Sequence, residues 1–396
     1  MKVAIIGGGA AGLVAGIVAA SGKNDVTIFE KNSKCGKKLL LTGNGKCNLA
    51  PLYLDLNKIH SESGRKDLFV REEERLKYIE FLEKLGLVMT TKKGGIYPFS
   101  EKSSSVLSVL LNAYLQNGGK LICDYGVSDL KVLDKGFLVN DKYFDKVIVT
   151  TGSRAYPKTG STGDGYELLK RLGVQMTVLS ESLVPVVTNL GLEKDWAGLR
   201  ANVCIYLKEN DAIVKKEEGE IQFTKYGLSG ICVFNLSGDI KLGLMKGNKE
   251  AIVINFMSWL GSDAFEFLEK RNKDLPGRSI SLLLDGFMDY KLSSVLLKAL
   301  KISLEATWDD IGVQKQRKLA TMLTEFQIDI ENTLDFDSAQ VCKGGVMLEE
   351  IDEENMQLKK YPGLYLAGEI LDLDGDCGGY NLAIAFITGM KAGELK

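Results

Sequence analysis

The first thirty residues carry the pattern that most constrains the fold of this chain. A short apolar run, 3–6, leads into Gly7-Gly8-Gly9-Ala10-Ala11-Gly12, and a second apolar run, 26–29, ends at Glu30. In a G-x-G-x-x-G turn the first glycine allows a sharp bend, the second lets a pyrophosphate approach the backbone, and the third lets the helix pack against the strand. The pattern predicts a strand–helix–strand unit that binds a dinucleotide.

The helix after the turn and the acid after the second strand fit this prediction. Small residues between Ala11 and Ala19 keep the helix slim, and its N-terminus offers N–H groups and a positive dipole end to phosphates. Glu30 lies where an acid accepts hydrogen bonds from a ribose. A signal peptide and a membrane span are the alternatives, and the glycine pattern in register with a second strand argues against both.

The composition narrows the class of protein. The chain has 396 residues, 45% of them hydrophobic and 26% charged, as in a soluble globular protein of two or three domains. The net charge of −2 indicates neither a nucleic acid nor a membrane as partner. Segment 31–48 is basic and without acids, which favours a role beside the ligand's phosphates over a wider polyanion site; its lysines are Lys31, Lys34, Lys37, Lys38 and Lys46.

Cysteine and histidine usage excludes several kinds of site. The seven cysteines are scattered and form no C-x-x-C, which argues against a disulfide framework, a zinc site and a redox-active pair. With no targeting segment, a reducing cytoplasm is expected. The single histidine, His60, excludes a metal site built on histidines and most Ser-His-Asp chemistry. Its polar neighbours predict a surface residue rather than a catalyst, and no metal is expected.

The loop after Glu30 holds a second candidate binding segment. Thr42-Gly43-Asn44-Gly45, followed by Cys47 and Asn48, is a turn signal. Such a loop can present backbone N–H groups and small polar side chains to a flat ring. A hinge or a surface hairpin is the alternative interpretation.

Helical patterns over 70–87 and 103–117 lead into a series of predicted strands. Residues 122–127 correspond to a strand that passes the adenine in nucleotide-binding flavoproteins, with backbone groups near Val127 reading its edge. The buried strand from Lys146 ends at Thr151-Gly152 and returns the chain to the mouth of the sheet. The glycine-rich turn 160–165 is either a wall of the site or the entry to a helix.

From about Val184 the pattern changes to short β-rich runs with turns, and residues 259–342 are mainly helical. We therefore predict a first domain, 1–185 and 343–396, interrupted by an insert over 186–342 that is β-rich to residue 258. A basic cluster on one insert helix favours a solvated face over contact with an anionic partner; it comprises Lys315, Arg317 and Lys318.

The C-terminal segment returns to the predicted site. An apolar strand ends at Gly368-Glu369, and a polar, glycine-rich loop over 372–381 contains Asp374 and Gly379-Tyr380-Asn381. A helix of small residues, Leu382 to Gly393, follows. Its N-terminus can face a developing negative charge, such as that on the pyrimidine ring of a reduced flavin.

Together these motifs resemble, in order and over nearly the whole chain, the BaiN/RdsA family of NAD(P)/FAD-dependent oxidoreductases. The specific elements are TGNGKCN and the GE-x-LD-x-DG-x-x-GGYN region. The resemblance implies an α/β fold: a Rossmann-like FAD-binding domain of the two-dinucleotide-binding flavoprotein type, interrupted by an insert with a small antiparallel β domain and a helical part. Thr150-Thr151-Gly152-Ser153 departs from the usual Ala-Thr-Gly-Gly.

The resemblance also implies how FAD is bound. The diphosphate would lie at Gly7–Gly12, the ribose on Glu30, the adenine near Val127, and the flavin ring against the 42–48 loop. Gly368 and Glu369 would hold the ribityl and phosphate portion, and Gly379–Leu382 the ring. The full set of expected cofactor contacts is Gly7, Gly9, Ala10, Ala11, Gly12, Glu30, Lys31, Lys38, Thr42, Gly43, Asn44, Gly45, Cys47, Asn48, Val127, Thr151, Gly152, Gly368, Glu369, Asp374, Gly379, Tyr380, Asn381 and Leu382.

Members of the family are associated with reduction of C=C bonds in steroid enones or in a ribosomal uridine. We therefore expect a FAD enzyme that passes hydride from NAD(P)H to an activated C=C bond of a small molecule. A second dinucleotide fingerprint is missing, so the nicotinamide would bind transiently. A ribosomal RNA uridine reductase, an amine oxidase and a non-catalytic flavin-binding protein are the alternatives. The proton donor is unassigned; Tyr156, Tyr380, Cys47, Cys377 and water are candidates.

Overall fold

The computed structural model describes residues 1–396. The chain divides into two compact units, the first formed by Met1–Ser180 and Phe336–Lys396 and the second by Glu181–Asp335. These borders lie a few residues before those predicted for the insert. Hydrogen bonds explain the difference, since Tyr156 N–H donates to Phe336 O (2.9 Å) within the first unit and Val184 N–H donates to Ser237 Oγ (3.1 Å) within the second.

A five-stranded parallel sheet forms the centre of the first unit. Its spatial order is Leu364–Leu366, Lys146–Val149, Lys2–Ile6, Asp25–Phe29 and Lys120–Ile122. The inner strands are apolar on both faces and almost completely buried, as expected for parallel strands covered by helices. Their carboxyl ends meet at one edge of the sheet, which brings together the segments that begin at residues 7, 30, 150 and 367.

Three long helices cover this sheet because small residues let them approach closely. The helices Ala10–Ser21 and Tyr380–Gly393 pack against each other, and a β-carbon on Gly389 would lie 2.6 Å from Ala11 O. Ser103–Gln116 packs on the other side of the first helix. Glu72–Lys84 packs on the C-terminal helix, where Tyr78 contacts Phe386.

Shorter elements complete the first unit. The strands are Ala50–Pro51, Ile59–His60, Met89–Lys92, Gly95–Pro98, Leu130–Val132, Phe137–Val139, Lys142–Phe144, Val341–Lys343 and Asp374–Gly375, with Ser180–Ser182 at the border. The helices are Lys37–Leu41, Lys66–Phe69 and Asp164–Arg171, and the 3-10 turns are Thr42–Gly45, Leu56–Lys58, Pro157–Thr159 and Leu348–Glu350. The C-terminal helix begins at Tyr380, two residues before the predicted start.

The second unit is a closed antiparallel barrel with helices attached. The strand order is Val186–Thr188, Gly227–Ser229, Ala212–Thr224, Arg200–Glu209, Glu250–Asn255 and Phe326–Thr333. The helices are Glu193–Trp196, Ile231–Met245, Ala264–Asp274, Ile280–Asp285, Tyr290–Ala299 and Val313–Thr324. A small antiparallel β domain with a helical part was predicted, and this is confirmed.

Two elements of the second unit differ from their predicted type. Residues 231–245 are a helix where strands were predicted, because an apolar run with β-branched residues suits a buried helix as well as a strand. Residues 326–333 are a strand within the part predicted as mainly helical. Their burial alternates, with Phe326, Ile328 and Ile330 turned to the barrel core. No helix in either unit is long and apolar enough to cross a lipid bilayer.

Candidate functional site

The fold requires two glycines of the N-terminal turn, Gly7 and Gly12, but it does not require the third, Gly9. Gly7 has a positive φ of 108°, and a β-carbon there would lie 2.6 Å from Thr150 O. A β-carbon on Gly12 would lie 2.0 Å from Gly7 O. A β-carbon on Gly9, by contrast, would meet nothing within 4 Å. The side of the turn at Gly9 is therefore an open cradle bordered by backbone.

The first helix directs its N-terminus at this cradle. Gly9 is the N-cap, and no side chain caps the helix. The first amide bonded within the helix is that of Leu13, which donates to Gly9 O (3.0 Å). The N–H groups of Ala10, Ala11 and Gly12 precede it and have no intrahelical acceptor. Together with the helix dipole they form a site suited to a diphosphate.

Glu30 is buried and fixed beside the same turn. Its Oε2 accepts the N–H of Gly8 (2.9 Å), and its Oε1 accepts the backbone N–H (2.9 Å) and the Nδ2–H (2.7 Å) of Asn32. Asn32 Nδ2 also donates to Thr159 O (3.1 Å). The acid at the end of the second strand is thus held rigidly at the carboxyl edge of the sheet.

The segment predicted to read an adenine has a different local structure. The strand ends at Ile122, because Asp124 has a positive φ of 53°. The chain still follows the 30–32 segment, since Tyr125 N–H donates to Glu30 O (2.9 Å) and Asp124 N–H donates to Asn32 O (3.0 Å). The half-buried Val127 follows this segment. The prediction of an extended strand over 122–127 is therefore wrong, but the segment does lie beside Glu30.

Three lysines of the basic segment, Lys31, Lys37 and Lys46, have partners nearby within the protein. Lys31 Nζ lies 2.6 Å from Asp164 Oδ2 and also donates to Thr162 Oγ1. Lys37 Nζ donates to Asn32 Oδ1 (2.9 Å), and Lys46 Nζ lies 3.1 Å from Glu101 Oε2. These ion pairs and hydrogen bonds partly neutralise the segment, and they join the glycine-rich turn 160–165 to residues 31 and 32.

The loop of residues 42–48 is a tight turn with strained backbone positions. Asn44 and Cys47 have positive φ values of 54° and 60°, and Thr42 Oγ1 donates to Leu39 O (2.6 Å). Cys47 is completely buried, and burial raises the pKa of its thiol to about 11. Asn48 Oδ1 is buried and accepts no hydrogen bond from the protein. A buried acceptor without a partner is a feature that a bound ligand can satisfy.

The C-terminal helix meets this loop directly. Gly379 is its N-cap with a positive φ of 96°, and no side chain caps the helix. A β-carbon on Gly379 would lie 2.8 Å from Asn48 Oδ1. The structure therefore brings together the two segments that were predicted to hold a ring. Asn381, however, uses its amide on the Gly375 backbone, while Tyr380 and Leu382 are buried.

Residues 368 and 369 lie at the same edge of the sheet. Gly368 has a positive φ of 81°, and a β-carbon there would lie 2.9 Å from Ala11 Cβ. Glu369 Oε2 lies 2.6 Å from Lys38 Nζ, and its Oε1 accepts the N–H of Cys342 (3.1 Å). Nearby, Thr151 Oγ1 is buried and has no hydrogen-bond partner, and Gly152 takes a positive φ of 73°.

The four candidate proton donors occupy different environments. Cys47 is fully buried. Tyr380 is also buried, and burial raises the pKa of its phenol above the usual value. Cys377 and Tyr156 are half-buried. Asp374 is buried in the strand Asp374–Gly375 that precedes the C-terminal helix.

His60 was predicted to be a surface residue, and in the structure it is half-buried and paired. Its Nε2 lies 2.8 Å from Asp376 Oδ1, and the two side chains are 21% and 6% exposed. The strand Ile59–His60 pairs with Asp374–Gly375 in antiparallel register, with His60 opposite Asp374. The signal in the sequence was the spacing of Asp372, Asp374 and Asp376, since period two is that of a strand and not of a loop.

The sheet, the glycine turn and the helix N-terminus define a dinucleotide-binding protein of the Rossmann type. The chain belongs to the family described as "HI0933-like protein Rossmann domain", which matches residues 1–395. This confirms both the family and the fold class predicted from the motifs.

Three known proteins illustrate the similarity. The chain is 33% identical to a 3-dehydro-bile acid delta(4,6)-reductase of Clostridium scindens, over 99% of this chain and 98% of that protein. It is 24% identical to a ribosomal RNA dihydrouridine synthase of Escherichia coli, over 98% and 96%. Among solved structures, a 3-ketosteroid-delta4-(5alpha)-dehydrogenase of Rhodococcus jostii aligns with a TM-score of 0.46 and 14% identity, over 99% of this chain and 96% of that one.

Proposed function

We propose that this protein is a FAD-dependent reductase that hydrogenates an activated C=C bond of a small organic molecule, with NAD(P)H as a transient electron donor. The observation that carries the reaction class is the 33% identity, over almost the whole length, to a reductase of a bile acid C=C bond. The observation that supports the cofactor is the open cradle at Gly9 beneath an uncapped helix N-terminus.

The residues at the edge of the sheet suit the successive parts of FAD. The amides of Ala10 and Ala11 would hold the diphosphate, and the fixed carboxylate of Glu30 would accept the ribose hydroxyls. Gly368, packed on Ala11, would border the chain that joins the phosphates to the ring. Asn48 and the helix N-terminus at Gly379 would contact the ring, where the unpartnered Asn48 Oδ1 can accept an N–H.

The flavin would supply the chemistry by taking a hydride from the nicotinamide and giving it to the substrate. The protein orients the partners and stabilises charge. The N-terminus of the helix Tyr380–Gly393 favours negative charge at the ring. The buried Cys47, Leu49 and Ala50 exclude water from one side of the 42–48 loop. Lys38 is neutralised by Glu369, so the pair shapes the site without adding net charge.

Reduction of a uridine in ribosomal RNA is the second candidate, because its C=C bond is also conjugated to a carbonyl and the Escherichia coli relative covers 98% of this chain. The predicted basic cluster gives this version little support. Lys315 Nζ donates to Lys301 O (3.0 Å), and Arg317 lies over the Phe265 ring at 4.9 Å. Lys318 alone of the three makes no such contact, and the net charge of −2 does not attract a polyanion.

The experiment is an anaerobic assay of the purified protein with FAD and NADPH or NADH. A 3-oxo-4,6-diene bile acid and a protein-free ribosomal RNA fragment are offered separately. We expect the conjugated absorbance of the dienone to disappear and the RNA to stay unmodified. Dihydrouridine in the RNA, falling steeply with added salt, would favour the second candidate. Peroxide release on adding amines in air, with neither C=C substrate consumed, would contradict both and favour an oxidase.

A further inference from the structure

Saturation of a polarised C=C bond requires one hydride and one proton, and an acid positioned next to the substrate speeds delivery of the proton. We propose that His60, held by Asp376, is that acid. This inference rests on the proposed reductase function. It concerns the only histidine of the chain, which the sequence had indicated to be a bystander on the surface.

The position of His60 follows from the pairing of two short strands. Ile59–His60 lies antiparallel to Asp374–Gly375, and Asp376 N–H donates to Lys58 O (2.9 Å). A β-carbon on Gly375 would lie 2.5 Å from Tyr380 Cβ, so this ribbon packs directly on the first residue of the C-terminal helix. The N-cap of that helix, Gly379, lies against Asn48. His60, opposite Asp374 in this ribbon, is therefore on the strand next to the one that leads into the segments proposed to hold the flavin ring.

The partner of His60 decides which ring nitrogen can release a proton. Nε2 lies 2.8 Å from Asp376 Oδ1. A carboxylate only accepts hydrogen bonds, so we assign the hydrogen of this contact to Nε2. Asp376 is almost completely buried, so its carboxylate is a fixed partner of the ring. The second hydrogen of the imidazolium is on Nδ1. That hydrogen is the one transferred, and the hydrogen bond to Asp376 need not change.

The step balances in atoms and electrons. The hydride that the reduced flavin would supply leaves its donor with the electron pair and forms a C–H bond at the carbon remote from the activating carbonyl, while the π pair of the C=C bond moves toward the carbonyl oxygen. The N–H bond at Nδ1 breaks, its electrons stay on the ring, and the proton forms a C–H bond at the neighbouring carbon. The imidazolium becomes a neutral imidazole. The ring, 21% exposed, regains its proton from water before the next turnover.

Neighbouring charged groups hold the acid in place. Asp372 Oδ2 accepts hydrogen bonds from Ser61 Oγ (3.0 Å) and from Ser63 N–H and Oγ (2.9 and 2.8 Å), which anchors the chain after His60. Lys343 Nζ lies 3.9 Å from Glu62 Oε1 on the same segment. Two of the other candidates, Cys47 and Tyr380, are less suited: burial raises the pKa of Cys47 to about 11 and raises that of Tyr380 as well, so neither releases a proton readily near neutral pH.

The test separates the two half-reactions in anaerobic stopped flow. His60→Gln keeps a side-chain N–H for Asp376 but cannot act as an acid, and Asp376→Asn removes the carboxylate. We expect flavin reduction by NADPH to stay within about twofold of wild type in both. Reoxidation of the reduced flavin by a 3-oxo-4,6-diene bile acid should slow by at least about 100-fold in His60→Gln. Reoxidation by molecular oxygen, which needs no such proton donor at the substrate carbon, is the internal control.

The outcomes distinguish the inference from the function on which it rests. If the reduced wild-type flavin is not reoxidised by the dienone at all, the proposed function fails. If the wild type is reoxidised and His60→Gln is equally fast, the function stands and the role of His60 is overturned. A slow Asp376→Asn variant with a normal His60→Gln variant would also overturn it, because the carboxylate would then act without the ring.

A spectroscopic readout does not depend on activity or on the folding of a variant. Because the chain has one histidine, ¹⁵N-histidine labelling gives the signals of a single ring. In the neutral ring of the wild type we expect the Nε2–H tautomer, with an Nε2 hydrogen slow to exchange. A ring with its hydrogen on Nδ1, or a rapidly exchanging mixture of tautomers, would contradict the assignment of Nδ1 as the acid.

Discussion

Lys38 and Glu369 are 331 residues apart in the sequence, and their side chains form an ion pair with 2.6 Å between Nζ and Oε2. Glu369 also accepts the N–H of Cys342. The carboxylate thus joins three segments: the helix before the 42–48 loop, the strand Val341–Lys343 and the turn after Leu364–Leu366. Both residues were predicted to contact the cofactor, and in the structure they contact each other.

Breaking this pair should destabilise the first unit. The side chains of Lys38 and Glu369 are 29% and 18% exposed, so Glu369→Gln or Lys38→Met should lower the free energy of unfolding by about 1–3 kcal/mol. The double variant should lose less than the sum of the two single losses, because the uncompensated charge is gone. Urea unfolding followed by circular dichroism measures the cycle. Additive losses would contradict the pairing.

Gly9→Leu should abolish FAD binding and leave the protein folded. A β-carbon at Gly9 meets nothing within 4 Å, and the residue has an extended backbone with φ of −81°, so the side chain would fill only the open cradle. We expect FAD affinity to fall by more than about 100-fold through exclusion of the diphosphate. Equilibrium dialysis measures the affinity, and circular dichroism measures the fold.

Two matched glycine variants control this prediction. Gly261→Leu also faces open space, and it should bind FAD normally. Gly12→Val should fail to fold, because its β-carbon would lie 2.0 Å from Gly7 O. FAD retained at wild-type affinity by Gly9→Leu would show that the diphosphate lies elsewhere.

The stability of the second unit should fall as the pH rises. Glu250 is buried, neither carboxylate oxygen has a hydrogen-bond partner, and burial together with Glu209 and Asp239 raises its pKa from 4.5 to about 7. Since the folded-state pKa is the higher one, the stabilisation is complete below 4.5 and is lost as the pH passes through 7. Between about pH 5 and about pH 8.5 the free energy of unfolding should drop by about 2 kcal/mol.

Tryptophan fluorescence measures this unit selectively, because Trp196, Trp259 and Trp308 are the only tryptophans and all lie within 181–335. Glu250→Gln should flatten the pH dependence in urea unfolding. Glu269→Gln, on the exposed face of the helix Ala264–Asp274, should keep it. A wild-type protein whose second unit is equally stable at both pH values would contradict the buried, unpartnered state of Glu250.

Thiol labelling of the apoprotein near pH 8 should distinguish two cysteines from five. Cys123 and Cys377 are half-buried, and the others are buried. Burial raises the pKa of Cys47 and Cys232 to about 11 and that of Cys342 to about 12, so less than about 1% of each is thiolate under these conditions. We expect two fast thiols per chain by mass spectrometry, falling to one in Cys123→Ser. Fast labelling of Cys47 would contradict the packing of the 42–48 loop.

Local sequence patterns were sufficient to predict the parts of the site that are built from residues close together in the sequence. The turn at Gly7–Gly12 and the acid at Glu30 are spaced by the geometry of one strand–helix–strand unit, so their positions can be read directly. The encounter of Asn48 with Gly379 was predicted through family resemblance and not through spacing. Individual cofactor contacts, including Lys31, Asp374 and Asn381, stay predictions.

Long-range pairings were not visible in the sequence. The barrel closes by pairing Val186–Thr188 with Phe326–Thr333, and no local pattern connects two segments so far apart. For the same reason His60 was assigned to the surface. Its neighbours in the sequence are polar, but its partner Asp376 is 316 residues away and is brought to it by the pairing of two short strands. The strand predicted over 122–127 ends at Ile122 in the structure, because Asp124 adopts a left-handed conformation that its sequence context did not indicate.

The central claim is that FAD binds at the N-terminal cradle and is reduced by a nicotinamide. The most direct measurement is an anaerobic absorbance titration of the FAD-loaded protein with NADPH and then NADH. The account predicts a bound flavin spectrum that bleaches stoichiometrically with one of the two coenzymes. A bound flavin that stays oxidised with both would contradict the reductase, and a protein that binds no flavin after FAD is added would contradict the site itself.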